Sequence, residues 1–246
     1  MDRGVELWNR AKQIIPGGNQ LLSKRSEMFL PDQWPSYFKK AKGIDVWDLD
    51  DRRYTDMSIM GIGTAVLGYA NVKVNEAVKN AVDLGTNCTL NSYEEVALAE
   101  KLIELHPWAE QARFARCGGE ACSVAVRIAR AATRKDKVAF CGYHGWTDWY
   151  LSANLGDDHN LDGQLLPGLK PLGVPRALRN TALPFHYGKV IELKKIIEEN
   201  RGEVGVIITE VLRNKVDTDF LKEVIAIGKR EGIVVIFDEK SSTFRN

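Results

Sequence analysis

Hydrophobic and polar residues follow two different periods along this chain, and the change of period divides it. Between residues 37 and 57 they alternate one by one over three short runs, 37–40, 44–49 and 53–57, around the turn-prone pairs Lys42-Gly43 and Asp50-Asp51. A period of two predicts strands, and three such runs so close together predict a small antiparallel meander. Ahead of them, residues 6–15 have a helical pattern that Pro16-Gly17-Gly18 would end.

From about Val72 the rhythm changes to helices alternating with short apolar runs. Helices are predicted over 74–84, 93–105, 120–134, 190–200 and 218–230, and strands over 113–116, 138–141, 181–184, 204–209 and 233–237. That alternation predicts an α/β fold: a mostly parallel sheet with helices on both faces. Gly232 stands where a helix C-cap glycine belongs. Residues 151–179 carry Gly, Pro, Asn and Asp with no clear period, a long loop of the kind that is often functional. The expected organisation is an appendage over residues 1–62, helix plus meander, and a large domain over 63–246.

The length of 246 residues suits one large domain with such an appendage. Composition narrows the partners. A net charge of +1 leaves no basic excess for a phosphate backbone, so nucleic acid is not expected. No apolar run is long enough to span a bilayer, and Asp2, Arg3, Glu6, Arg10 and Lys12 interrupt the start where a signal sequence would be apolar. Cys88, Cys117, Cys122 and Cys141 form no CxxC pair and share no ligand spacing with the four histidines. No metal site is therefore expected, and a reducing cytoplasm is the default compartment.

Open parallel sheets bind ligands beyond the carboxyl ends of their strands, which directs attention to the residues following each run. After the first comes Cys117-Gly118-Gly119-Glu120, at the start of a helix. Free amides and the positive end of a helix dipole there would cradle a phosphate, although a simple tight turn fits the same residues. After the second comes Gly142-Tyr143-His144-Gly145-Trp146, whose aromatic pair suits either stacking on a planar ring or core packing. The fourth run ends in Glu210 and the fifth in Asp238-Glu239. A carboxylate that follows five apolar residues is expected to be partly buried and to need a cation. The protonated nitrogen of a bound ring is one such cation; a helix cap or a metal would also use the acid.

In their order and spacing these segments resemble the class III aminotransferases of pyridoxal-phosphate (PLP) fold type I, most closely the glutamate-1-semialdehyde aminomutase-like branch. The resemblance runs through Ile15-Pro16-Gly17-Gly18, Leu67-Gly68-Tyr69-Ala70, Cys117 to Ala121, Tyr143-His144-Gly145-Trp146, Glu210 with Arg213-Asn214, and Asp238-Glu239 with Phe244-Arg245. It implies that Gly118 and Gly119 hold the phosphate of PLP, Tyr143 lies against the pyridine ring, Asp238 pairs with the ring nitrogen, and His144 and Glu210 line the site. It further implies a small-molecule amino donor and acceptor, and a homodimer in the full-length family. The stretch Leu165-Leu166-Pro167-Gly168-Leu169, together with the Tyr-His-Gly-Trp segment, resembles branch members that act on amino sugars or surface polysaccharides.

The chain departs from the family pattern in three ways. Gly119 replaces Thr or Ser, which removes one hydroxyl from the phosphate cradle. Lys240 replaces an aliphatic residue and Thr243 a glycine, both beside Asp238. The family's Schiff-base lysine lies on a segment after Asp-Glu, and no residue up to Asn246 matches it. Lys240, two residues from Asp238, would share its face on an extended strand, but it would then lie at the nitrogen side of the ring rather than the aldehyde side. The expectation is thus an aminotransferase or aminomutase fold, incomplete at its C-terminus and inactive as it stands. A noncatalytic fragment of such an enzyme is the alternative. The run 113–116 would have lost both sheet neighbours, so an unstable fragment or abnormal pairing of that strand is expected. A nicotinamide oxidoreductase is a weaker alternative, because the glycines from Gly61 to Gly68 are misspaced for a dinucleotide fingerprint.

Overall fold

The computed structural model describes residues 2–57, 60–164, 167–212 and 215–240. Leu165, Leu166, Arg213, Asn214, Thr243, Phe244 and Arg245 of the motifs above lie outside the described residues. The chain forms two compact units, Met1–Val96 and Ala97–Asn246.

In the first unit, helix α1 (Arg3–Ile14) begins before the expected start because the Asp2 side chain caps it, accepting from the backbone N–H of Gly4 and Val5. It buries Trp8 and Ala11, and the Trp8 indole N–H donates to Glu27 at 2.9 Å. The expected meander is present: β1 (Phe38–Lys42), β2 (Asp45–Asp48) and β3 (Arg53–Thr55) pair antiparallel in the order β1-β2-β3. Asp48 organises the β2–β3 turn. Its buried carboxylate accepts from the backbone of Asp50 and Arg52, both at 2.9 Å, from Arg52 Nε at 2.7 Å and from the Tyr54 hydroxyl at 3.1 Å. A single turn, α2 (Met60–Gly63), follows, with positive φ at Gly61 and Ile62. It is not the strand-to-helix junction that a dinucleotide fingerprint requires. Helix α3 (Val72–Leu84) is capped by Asn71, and α4 (Tyr93–Leu105) begins in the first unit and ends in the second.

The second unit is built on a parallel sheet ordered β5-β4-β6-β7. Along the chain run α5 (Gly118–Thr133), β4 (Lys137–Cys141), the short α6 (Asp148–Leu151), β5 (Ala182–Pro184), α7 (Val190–Glu199), β6 (Val204–Glu210), α8 (Thr218–Glu231) and β7 (Val234–Asp238). Strand residues alternate between two packed faces, as pleating dictates. Val138, Phe140, Val206 and Ile208 meet Cys122, Val126 and Ala129 of α5, with Trp149 and Tyr150 closing that layer. Ala139, Cys141 and Ile207 meet Leu193 of α7 and Phe220, Val224 and Ile227 of α8. Each large side chain buried this way contributes about 1.5–3 kcal/mol. Two covered faces explain why β4 and β6 read as continuous apolar runs.

Four of the five expected strands of this sheet form. The first of the five along the chain, residues 113–116, is irregular and lies outside the sheet. A strand persists only through its ladder of hydrogen bonds, and among the described residues β5 and β7 are the edges, with no partner offered to 113–116. Among the described residues, the segment therefore neither joins the sheet nor pairs abnormally.

Candidate cofactor site

Chain direction in a parallel sheet brings the ends of β4, β6 and β7 to one edge, and β6 and β7 are in register there, Glu210 opposite Asp238. The loop after β4 carries Tyr143 and His144 to this edge. Helix α5 begins beside them: Gly119 and Gly145 approach so closely that a Cβ on Gly119 would lie 3.3 Å from the Gly145 Cα. The hydroxyl side chain missing at 119 leaves room that these two backbones use. All six residues expected at the site, Gly118, Gly119, Tyr143, His144, Glu210 and Asp238, thus occupy one neighbourhood.

Asp238 is its electrostatic centre. Oδ2 lies 2.9 Å from His144 Nδ1 and accepts from the Cys122 thiol at 3.4 Å, while Oδ1 accepts from the Lys240 backbone at 3.0 Å. Burial works to raise this carboxyl, but the hydrogen bonds from His144 and Lys240 and the His144 charge outweigh it and hold the acid below the usual carboxylate range. The group is a carboxylate at neutral pH. His144 is buried, and its Nε2 lies 2.9 Å from the Cys141 carbonyl, which can only accept. Nε2 therefore carries a hydrogen, and Nδ1 is the atom that faces Asp238. Phe140, Trp149 and Tyr150 enclose the imidazole, Trp149 nearly parallel to it at 6.3 Å between centroids.

Tyr143 lies between these groups. Its backbone N–H donates to Glu210 Oε1 at 3.1 Å, and its ring meets Trp146 at 4.9 Å and Tyr150 at 5.9 Å. Burial, and next the neighbouring thiols of Cys117 and Cys122, push the phenol up to about 12.

No side chain caps the 16-residue helix α5 at Cys117. Ser123 ties its first turn to the aromatic loop, donating to the Gly119 carbonyl at 2.8 Å with Thr147 Oγ1 at 3.0 Å. Glu120 reaches back to the Arg116 backbone N–H at 2.8 Å. The Lys240 stem crosses this end of the helix, its Cδ 3.0 Å from where a Cβ on Gly118 would stand. β7 ends at Asp238, so Lys240 sits in the turn that follows and does not share an extended strand with the acid.

Cys122 is the residue that spacing along the sequence missed. Four residues after Gly118 it falls on the same face of α5, one turn further in, and that offset is the signal that could have found it.

The parallel α/β sheet thus carries an ionised acid, an aromatic loop and an uncapped helix start at its carboxyl edge. A family model for class-III aminotransferases matches residues 31–244, and the chain belongs to that family. It is 31% identical to a 3-aminobutyryl-CoA aminotransferase of Cloacimonas acidaminovorans, over 99% of this chain and 56% of the relative. It is 32% identical to a glutamate-1-semialdehyde 2,1-aminomutase of Methanococcus vannielii, over 100% of this chain and 56% of that protein. The chain thus spans about half the length of the curated relatives it matches. Among solved structures, the fold is that of an omega-transaminase from Sphaerobacter thermophilus, with TM-score 0.79 and 26% identity over 97% of this chain and 55% of that one. The FumI protein of Sphingopyxis sp. MTA144 superposes with TM-score 0.84 at 23% identity, over 99% of this chain and 56% of that one.

Proposed function

We propose that the edge formed by Gly118, Gly119, Tyr143, His144, Glu210 and Asp238 is part of the PLP site of an aminotransferase or aminomutase acting on small amino and keto or aldehyde compounds. The observation that carries this reading is the Asp238 carboxylate, kept ionised inside the protein by His144 and the Lys240 backbone. A partly buried carboxylate so prepared suits the protonated nitrogen of a pyridine ring. The uncapped start of α5 suits the phosphate. When bound, PLP supplies an electron-withdrawing ring that stabilises negative charge on the carbon beside a substrate's amine.

The chain's own residues have distinct tasks in this reading. Asp238 keeps the ring nitrogen protonated, and His144, fixed by the Cys141 carbonyl, keeps Asp238 oriented and charged. Tyr143 presents its ring as a stacking face, and its raised phenol stays neutral through the physiological range. Glu210 anchors the Tyr143 backbone. The amides at Gly118 and Gly119 receive the phosphate, helped by the positive end of the helix. We place the amino donor and acceptor among small molecules and the assembly as a homodimer, on the family relationship. The four free thiols support a reducing compartment, the cytoplasm.

Pyridoxamine phosphate tests the site without requiring a Schiff-base lysine, because its amine forms no imine with a lysine. Titrated into the chain, it is expected to quench the fluorescence of Trp146 and Trp149 saturably. D238A should weaken that binding by about 2 kcal/mol or more, roughly thirtyfold. Equal affinity in D238A, or no saturable binding to the unaltered chain, would refute the assignment.

A further inference from the structure

Cys122, His144 and Asp238 come from three separate elements: α5, the loop after β4 and the end of β7. Cys122 Sγ, His144 Nδ1 and one Asp238 oxygen nevertheless all lie within 4.8 Å of one another. Two of the spacings are close, 2.9 Å from Nδ1 to Oδ2 and 3.4 Å from Sγ to Oδ2. Ligand atoms around a tetrahedral zinc ion stand about 3.3–3.6 Å apart, given metal–sulfur and metal–nitrogen bonds of about 2.3 and 2.0 Å. Small side-chain rotations would bring the three into that arrangement.

The imidazole is already set for ligation. Metal-bound histidines almost always donate their second ring N–H to a carbonyl or carboxylate, which fixes the tautomer and aims the other nitrogen. His144 does this through Nε2 to Cys141, leaving Nδ1 directed at the cluster. A sulfur, an imidazole nitrogen and one carboxylate oxygen form a donor set for zinc-like cations, not for magnesium or calcium, which take oxygen. Three protein ligands leave one coordination position for water or an exogenous group.

We propose that Cys122, His144 and Asp238 bind a single thiophilic divalent cation of the zinc class. The same Asp238 oxygen cannot serve the cation and a ring nitrogen together, so the cation and PLP exclude each other, an exclusion that rests on the cofactor reading above. Binding releases the Cys122 thiol proton and the proton held between His144 and Asp238 to solvent. The thiolate and carboxylate then neutralise the two positive charges of the ion. Burial, and next the Asp238 charge, push the metal-free thiol up to about 12, and a cation between the two groups reverses the second of these effects.

Cobalt(II) is the probe. Added to the metal-free full chain, it is expected to give a thiolate-to-cobalt charge-transfer band in the near ultraviolet that saturates at one equivalent. C122S, checked for folding by circular dichroism, should lose the band and bind cobalt more weakly. The loss of a ligand should cost at least what an outer-shell partner costs, about 10–100-fold. C88S/C117S should keep the band. No band, or a band that survives C122S or vanishes in C88S/C117S, overturns the cation site. Pyridoxamine phosphate should abolish the band as it binds. A band that persists with the ligand bound overturns the exclusion alone. If the metal-free chain binds no pyridoxamine phosphate, the cofactor reading and the exclusion both fail, while the band still decides the cation site.

Discussion

Gly119 and Gly145 lock the first turn of α5 against the aromatic loop: a Cβ on Gly145 would stand 2.5 Å from the Gly119 Cα. Gly145 also has φ +98°, a conformation that side chains resist. G145A should therefore incur both backbone strain, about 1–3 kcal/mol, and overpacking of similar size. Gly173 separates the two, because its φ is +85° with nothing within 4 Å of an added Cβ. G173A should show the strain alone. Urea unfolding of both variants checks this, and equal losses would mean that the close approach contributes nothing.

Thiol chemistry tests the burial of the site directly. Cys88 and Cys117 are exposed, whereas Cys122 and Cys141 are buried. Burial, followed by the charge of Asp238, pushes the Cys122 thiol up to about 12, which starves it of the reactive thiolate. An aromatic disulfide reagent should titrate Cys88 and Cys117 quickly in the native protein and the other two thiols only on unfolding. Fast modification of Cys122, located by peptide mapping, would mean that the edge of the sheet is open.

Tyr143 makes an alkaline prediction. Its phenol is raised from the ordinary 10.0 to about 12, first by burial and then by the nearby thiols. A folded value above the unfolded one means that the phenol's contribution is complete below pH 10 and is lost as pH rises towards 12. Tyr69 is also pushed up to about 12, first by burial and then by its hydrogen bond to Asp56. Absorbance titration should therefore show at least two tyrosinates forming late, and Y143F should remove one of them while losing less stability over the same interval. An unchanged titration in Y143F would assign the late steps to other tyrosines.

Much of this could be read from the residues, and the misses have physical causes. The β4 and β6 runs were legible because both sheet faces are covered, which makes every position apolar; the meander was legible because its faces differ. Residues 113–116 have the same local character as a strand, but a strand also needs a neighbour, and pattern alone does not supply one. The edge carrying Tyr143, His144, Glu210 and Asp238 follows from strand direction, so the residues after each apolar run mark it. Cys122 has no ligand spacing with the other cysteines along the sequence, and its partners, His144 and Asp238, arrive from other elements. Two helices start ahead of the apolar pattern, at 3 instead of 6 and at 118 instead of 120, because a capping Asp2 and a pair of glycines begin them.

The first unit offers a test of acid stability through Asp48. Burial works to raise its carboxyl, yet the Arg52 backbone and guanidinium, the Asp50 N–H and the Tyr54 hydroxyl together hold it below the ordinary 3.8. A folded value below the unfolded one contributes stability that is fully present above about pH 4 and is lost as pH falls through the folded value. D48N keeps the shape but substitutes an amide for a charged acceptor, leaving Arg52 Nε and the turn N–H groups with a weaker partner while the Arg52–Asp2 pair remains. Removing such a partner costs about 1–3 kcal/mol. That cost should appear at pH 7 and shrink below pH 4, where the wild-type carboxyl takes up its proton. Urea midpoints of the two proteins across pH 3–7 measure it. A difference that stays constant through the acid range would mean that shape, and not the charge on Asp48, holds the β2–β3 turn.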